Sequence, residues 1–328
     1  MIKQRNNTLD IMKGLGITLV VLYHSIGNIY YINIDATCNG FINMVISFFM
    51  PMFFIISGYL VFGKTTNIKW LKDKTVRFII PIIIFTIISQ LYAEGIGTYK
   101  KIIPTLINNI TIGFPGIIVW YLWCLLLCFG MIFVIENIRK EFKTSAWIIC
   151  LGTIVLLEIM PMNILGFGLL KWYGIFFLIG YLMKGNINKI SKIQDKVLIP
   201  IGIVMFPLIG YSTNWLKSVQ FKDYNLGLAN ISQTIIHRQE FNLLILFIMA
   251  LLGSLFIYSL SKIVNKIKYV RNIFIYFGII SIAIYLIAIF FTKVTNNFII
   301  NSGIGILVAI IIYEVFKKNK FTRRMIGI

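Results

Sequence analysis

The sequence predicts an all-α integral membrane protein, a polytopic bundle of about ten transmembrane helices, on three observations. Of its 328 residues, 59% are hydrophobic and only 13% are charged, proportions far from those of a soluble globular domain. The mean hydropathy is +0.88. Apolar stretches recur along the whole chain, and about 20 such residues are enough to cross a hydrocarbon core roughly 30 Å thick. A soluble enzyme is excluded.

Taken in order, the spans are read at 12–32, 41–62, 77–96, 115–135, 145–160, 165–183, 197–213, 241–261, 272–291 and 298–316. The first opens on the amphipathic entry Asn7-Thr8-Leu9-Asp10-Ile11-Met12-Lys13-Gly14, in which Asp10 reads most simply as the helix cap. The second holds the run Phe48-Phe49-Met50-Pro51-Met52-Phe53-Phe54, and the third starts at Arg77 behind a basic stretch. Trp120 and Trp123 lie toward one end of the fourth, and Trp172 and Tyr173 lie within the sixth; aromatic residues at span ends usually anchor a helix at the interface. The 145–160 and 197–213 segments are short, which admits a tilted or re-entrant passage.

A net charge of +20 has the size of a nucleic-acid footprint, but its placement says otherwise. Only Lys100, Lys101, Lys171, Lys217, Lys222, Arg238 and Lys293 of the 31 Lys and Arg fall in one set of connections. The rest lie at the N-terminus and in 63–77, 135–144, 184–196, 262–271 and 317–328. That alternation follows the positive-inside rule and predicts both termini in the cytosol. Nucleic acid is not an expected partner; membrane lipid is. The first apolar run is followed at once by another, without a small-residue cleavage site, so no cleavable signal peptide is expected. Cys38, Cys124, Cys128 and Cys150 have neither disulfide-framework nor zinc spacing, and no metal is expected. Residues 1–328 read as one membrane domain with no soluble appendage, 214–240 being its longest outer connection.

His24 is the residue this pattern singles out. An ionisable group within a span costs about 2.5–3.5 kcal/mol even on the lenient insertion scale and marks a functional site by default. Lys13 stands eleven residues earlier, which returns to within about 20° of the same helix face roughly 16 Å away along the axis. The alternative for His24 is a hydrogen bond to a neighbouring helix that only fixes packing.

Leu9-Asp10-x-x-Lys13-Gly14 with His24, followed by Met50-Pro51-x-Phe53-Phe54-x-x-Ser57-Gly58-Tyr59, resembles the opening of the membrane acyltransferase-3 family. Weaker matches follow in order at Lys74-x-x-Arg77-x-x-x-Pro81, Trp120-Tyr121-Leu122, Phe176-Phe177-Leu178-x-Gly180-Tyr181 and Gly278-x-x-Ser281-x-x-x-Tyr285-Leu286. The family's usual pattern is Arg, ten residues, His; here Lys13 takes the Arg position with the interval kept. Some relatives carry a histidine just before the Met-Pro pair and another three residues past the Tyr that matches Tyr285, where this chain has Phe49 and Ala288.

The resemblance implies a multi-span O-acyltransferase of the bacterial cytoplasmic membrane, with cytosolic acetyl-coenzyme A as donor and a cell-surface or lipid-linked glycan as acceptor. Acyl transfer to an alcohol needs a base for the hydroxyl proton and a grip on the donor's anionic end. His24 is the expected base. Lys13, Lys74 and Arg77 are the expected anion handles, against the alternative of ordinary snorkelling at a helix end. Ser57 and Gly58 permit close helix approach or line the donor path. Trp120 offers an aromatic face to a sugar ring, and Glu94 and Glu158 sit where either orients an acceptor hydroxyl or pairs with Lys171. Direct transfer and an acyl-enzyme relay both remain open, as do a transporter or flippase of a glycan or lipid precursor that uses the same buried histidine for proton coupling and a family member without catalysis, to which Phe49 and Ala288 point.

Overall fold

A computed structural model of the chain describes residues 6–30, 36–64, 66–94, 103, 104, 107, 116–159, 165–186, 195–212 and 239–327. Residues 214–238 of the expected long connection, His237, and the side chains of Cys38 and Glu94 lie outside the described residues. The described residues form helices and connecting turns and no strand, as the apolar periodicity predicts. The helices are α1 (Asn7–Tyr30), α2 (Ala36–Val61), α3 (Ile68–Glu94), α4 (Gly116–Phe142), α5 (Ala146–Ile159), α6 (Phe167–Gly185), α7 (Asp195–Ser212), α8 (Gln239–Val264), α9 (Lys268–Ile279), α10 (Ser281–Ile287), α11 (Phe298–Phe316) and α12 (Lys320–Met325).

Each of the ten expected spans coincides with helix. Six helices, α1, α3, α4, α6, α8 and α11, are long and apolar enough to cross a membrane, and α9 with α10 make a seventh if taken together. That pair is bent by 68°, so the single helix expected over 272–291 is broken at Ile280. The expected fifth span is 14 residues of helix, about 21 Å, less than the roughly 30 Å core.

The chain divides into two compact units. The first, Met1–Ile56 with Ile187–Val315, is organised around α1, which packs along α9 and also touches α8 and α10. Two glycines make the α1–α9 crossing possible. A Cβ on Gly14 would collide with the Phe274 carbonyl, and one on Gly278 with the Asp10 carbonyl. In a membrane, where lipid is as apolar as leucine, such backbone-to-backbone fit is what drives helix association. α7 lies on α8, and Lys262 Nζ meets Asp195 Oδ2 at 2.9 Å while the Tyr258 hydroxyl donates to Asp195 Oδ1 at 2.8 Å. The turn before α11 is held by the fully buried Asn301, whose Nδ2 donates to the Thr292 and Thr295 carbonyls at 3.1 and 2.9 Å.

The second unit, Ser57–Asn186 with Phe316–Ile328, centres on α4, which packs against α3, α5 and α6. Phe129 is its aromatic hub: Phe78 stacks on it at 5.6 Å, and Trp70 and Phe177 approach edge-on at 5.7 Å each. Residues 57–61 of α2 belong here and meet α6 at Gly58, where a Cβ would strike the Phe177 carbonyl. α12 packs on α3.

Candidate functional site

α1 begins at Asn7, a turn earlier than the sequence suggests, because Asn6 supplies the cap: its Oδ1 accepts from Leu9 N at 3.4 Å. Asp10 is therefore inside the helix, which corrects its expected capping role. It is 4% exposed, and Lys13 Nζ lies 2.8 Å from its Oδ1. An ammonium carries three donors, so pairing with Asp10 orients Lys13 and leaves two for a ligand.

α1 continues unbroken to Tyr30, so Lys13 and His24 share one rigid helix, about three turns apart. The partly buried His24 ring meets Tyr23 edge-on at 5.0 Å, and Tyr23 leans on Phe49 at 5.8 Å. Ser25 is fully buried and accepts a hydrogen bond from Ser302 Oγ at 3.0 Å, fixing this level of α1 to α11. No hydrogen bond joins the His24 imidazole to another described residue. The packing alternative rests on such a bond across to a neighbouring helix, and none is present among the described residues.

The two places where some relatives carry further histidines are occupied by packing. Phe49 is 5% exposed. Ala288 is fully buried under α11, and a Cβ on Gly305 would stand 2.8 Å from its carbonyl oxygen. Little room remains for an imidazole at position 288.

The other expected residues lie in the second unit. Lys74 Nζ sits over the Phe129 ring, 4.9 Å from its centre, a cation–π contact. Arg77 Nε donates to the Gly327 carbonyl at 2.7 Å. The Ser57 hydroxyl lies beside the Tyr121 hydroxyl, and Gly58 serves the α2–α6 contact. Trp120 stacks obliquely on Tyr173, with ring centres 5.1 Å apart. Lys171 is 9% exposed and reaches α5 by donating to the Glu158 carbonyl at 2.9 Å, while the exposed Glu158 carboxylate is 4.0 Å away. Lys171 and Glu158 are brought together, but chiefly through the backbone. Glu94 closes α3, its side chain outside the described set.

Sequence reasoning missed one buried polar cluster in this unit. Glu136 on α4 is 3% exposed, accepts a hydrogen bond from the Tyr181 hydroxyl on α6, and pairs with Arg139 Nη2 at 3.0 Å. The available signal was the Glu136–Arg139 pair at helical spacing in an apolar segment. Tyr181→Phe removes a donor to a buried carboxylate and is expected to cost about 1–3 kcal/mol. Thermal unfolding in detergent measures it; an unchanged midpoint shows that the Tyr181 hydroxyl contributes nothing to holding α4 on α6.

Comparison with known proteins places these features. The family described as an acyltransferase domain, acyltransferase-3, matches residues 6–315. Over 196 residues the chain is 29% identical to the nodulation protein NolL of Sinorhizobium fredii, covering 56% of this chain and 50% of that protein. Over 191 residues it is 27% identical to the nodulation protein NolL of Mesorhizobium japonicum, covering 56% and 49% respectively. The chain thus spans about half the length of these curated relatives. No solved structure matches.

Proposed function

This chain belongs to the acyltransferase-3 family, and we propose that it is a multi-pass O-acyltransferase of the bacterial cytoplasmic membrane, carrying acetyl from cytosolic acetyl-coenzyme A to a hydroxyl of a cell-surface or lipid-linked glycan. The observation that carries the reading is His24. It is a partly buried imidazole inside a helix apolar enough to span, with no hydrogen bond to another described residue. The family supports the reaction class, and the positive-inside asymmetry supports a cytosolic side at the basic connections, where the donor is expected.

The chemistry balances with one histidine. His24 accepts the acceptor's hydroxyl proton as the oxygen attacks the thioester carbonyl; the C–S bond breaks, and the imidazolium returns the proton to the departing thiolate. Direct transfer fits a chain in which Phe49 and Ala288 hold the two further histidine positions. Lys13, oriented by Asp10, is the anion handle on the His24 helix, and Arg77 with Lys74 forms another in the second unit.

Mass spectrometry of surface glycan tests the acceptor. A strain lacking this gene is expected to lose one acetyl ester per modified sugar, and wild-type sequence but not His24→Ala restores it. Glycan of unchanged mass in the deletion strain contradicts a glycan acceptor.

A further inference from the structure

Arg77 does not end α3's account of its charge. Its Nε is committed to the Gly327 carbonyl, which leaves the two terminal nitrogens of the guanidinium as a fork. The donated-to carbonyl is set by backbone geometry: Gly327 has φ +73°, a left-handed conformation that residues with a Cβ resist. Ile326 beside it is 1% exposed, so this stretch is docked on the protein. The lead-in is equally constrained. Asn319 caps α12 through a bond from Phe321 N at 2.8 Å, and the Thr322 hydroxyl donates to the Phe316 carbonyl at 2.7 Å.

The consequence of that docking is unfavourable by itself. It brings exposed Arg323 within electrostatic reach of Arg77, and Lys74 feels the like charges of Arg77 and then Lys64, with Asp73 as the one opposing charge. Among the described residues no carboxylate forms an ion pair with Arg77 or Arg323. Snorkelling basic residues at a span end spread into water; here the buried Ile326 and the Arg77–Gly327 bond keep the helix that carries Arg323 packed on α3. Residues 316–327 also lie beyond the 6–315 match to the family.

We propose that α12 completes a phosphate-binding site on α3, in which Arg323 and the open fork of Arg77 clamp one phosphate group and Lys74 lies alongside. A phosphate relieves the repulsion between the two guanidinium groups and satisfies their donors, and paired arginines suit its oxygens better than point charges do. The phosphate belongs either to the nucleotide end of a coenzyme A donor, which rests on the function proposed above, or to an anionic lipid headgroup.

Three full-length proteins in detergent decide the matter: wild type, Arg323→Glu, and Arg324→Glu as a control of equal charge change one residue away. Adenosine 3′,5′-bisphosphate is expected to raise the unfolding temperature of wild type and Arg324→Glu but not of Arg323→Glu. The KM for acetyl-coenzyme A should rise about fivefold in Arg323→Glu at nearly constant kcat, with little change for the dephospho donor. Nanodiscs with phosphatidylglycerol in place of phosphatidylcholine form the second arm. Stabilisation by that lipid alone, lost in Arg323→Glu, keeps the phosphate site and assigns it to the headgroup. Equal losses in both Glu variants, or no response of wild type to either phosphate, overturn the site. Absence of acetyl-coenzyme A turnover in wild type overturns the proposed reaction instead, and the bisphosphate and lipid arms still read the site.

Discussion

His24→Ala is expected to lower acyl transfer by about 10²- to 10⁴-fold, the usual loss on removing a general base, with kcat and kcat/KM falling together. The protein should still insert and unfold at nearly the wild-type temperature. That second expectation comes from the surroundings: the imidazole makes an edge contact with Tyr23 but no hydrogen bond to another described residue. Truncation therefore breaks no hydrogen bond to a described residue, and the neighbouring Ser25–Ser302 bond at 3.0 Å keeps α1 in register with α11. A variant retaining more than half of wild-type turnover places the base elsewhere. A variant that unfolds instead supports the alternative in which His24 fixes packing.

The largest effects on assembly are expected at Gly14 and Gly278. Glycine to alanine within a helix ordinarily stabilises by up to about 1 kcal/mol, because alanine loses less backbone freedom on folding. Here the sign should reverse. The added methyl at Gly14 meets the Phe274 carbonyl, and at Gly278 the Asp10 carbonyl, both backbone atoms that cannot rotate away. Forcing such overlap costs typically about 1–3 kcal/mol, and it pushes apart the helix that carries Lys13 and His24 and the helix that packs along it. Gly130→Ala and Gly152→Ala are the controls, since nothing lies within 4 Å of either added methyl. Unfolding midpoints in detergent should fall for the first pair and hold or rise for the second. Four equal shifts mean that α1 and α9 do not cross at these glycines.

What the sequence made legible follows the range of the interactions. Helix identity is local, and the described residues of the apolar segments are helical, although 272–291 is broken in two and only six helices are long and apolar enough by themselves to cross a membrane. Lys13 and His24 were placed correctly on one helix because their relation needs only the helical repeat. The boundary errors are also local: Asn6 and Asp10 are both good caps, and sequence alone does not say which one the chain uses. The break at Ile280 falls inside a continuous apolar run with no proline, so hydropathy passes over it. The partnerships that give the second unit its chemistry were hidden by distance. Tyr181 reaches Glu136 across 45 residues, and Arg77 reaches Gly327 across 250; no pattern within a helix links either pair. Lys171 illustrates an intermediate case, where the sequence paired it with Glu158 but the bond goes to a carbonyl, which every residue carries.

Release of free coenzyme A thiol separates acyl transfer from transport most directly. Proteoliposomes holding the full chain, supplied with acetyl-coenzyme A and an acceptor glycan extract, are expected to release thiol in step with acetyl ester formed. Release should stop without acceptor and in His24→Ala. Thiol release at the same rate in His24→Ala, or movement of intact glycan across the bilayer with no thiol released, contradicts a His24-dependent acyltransferase.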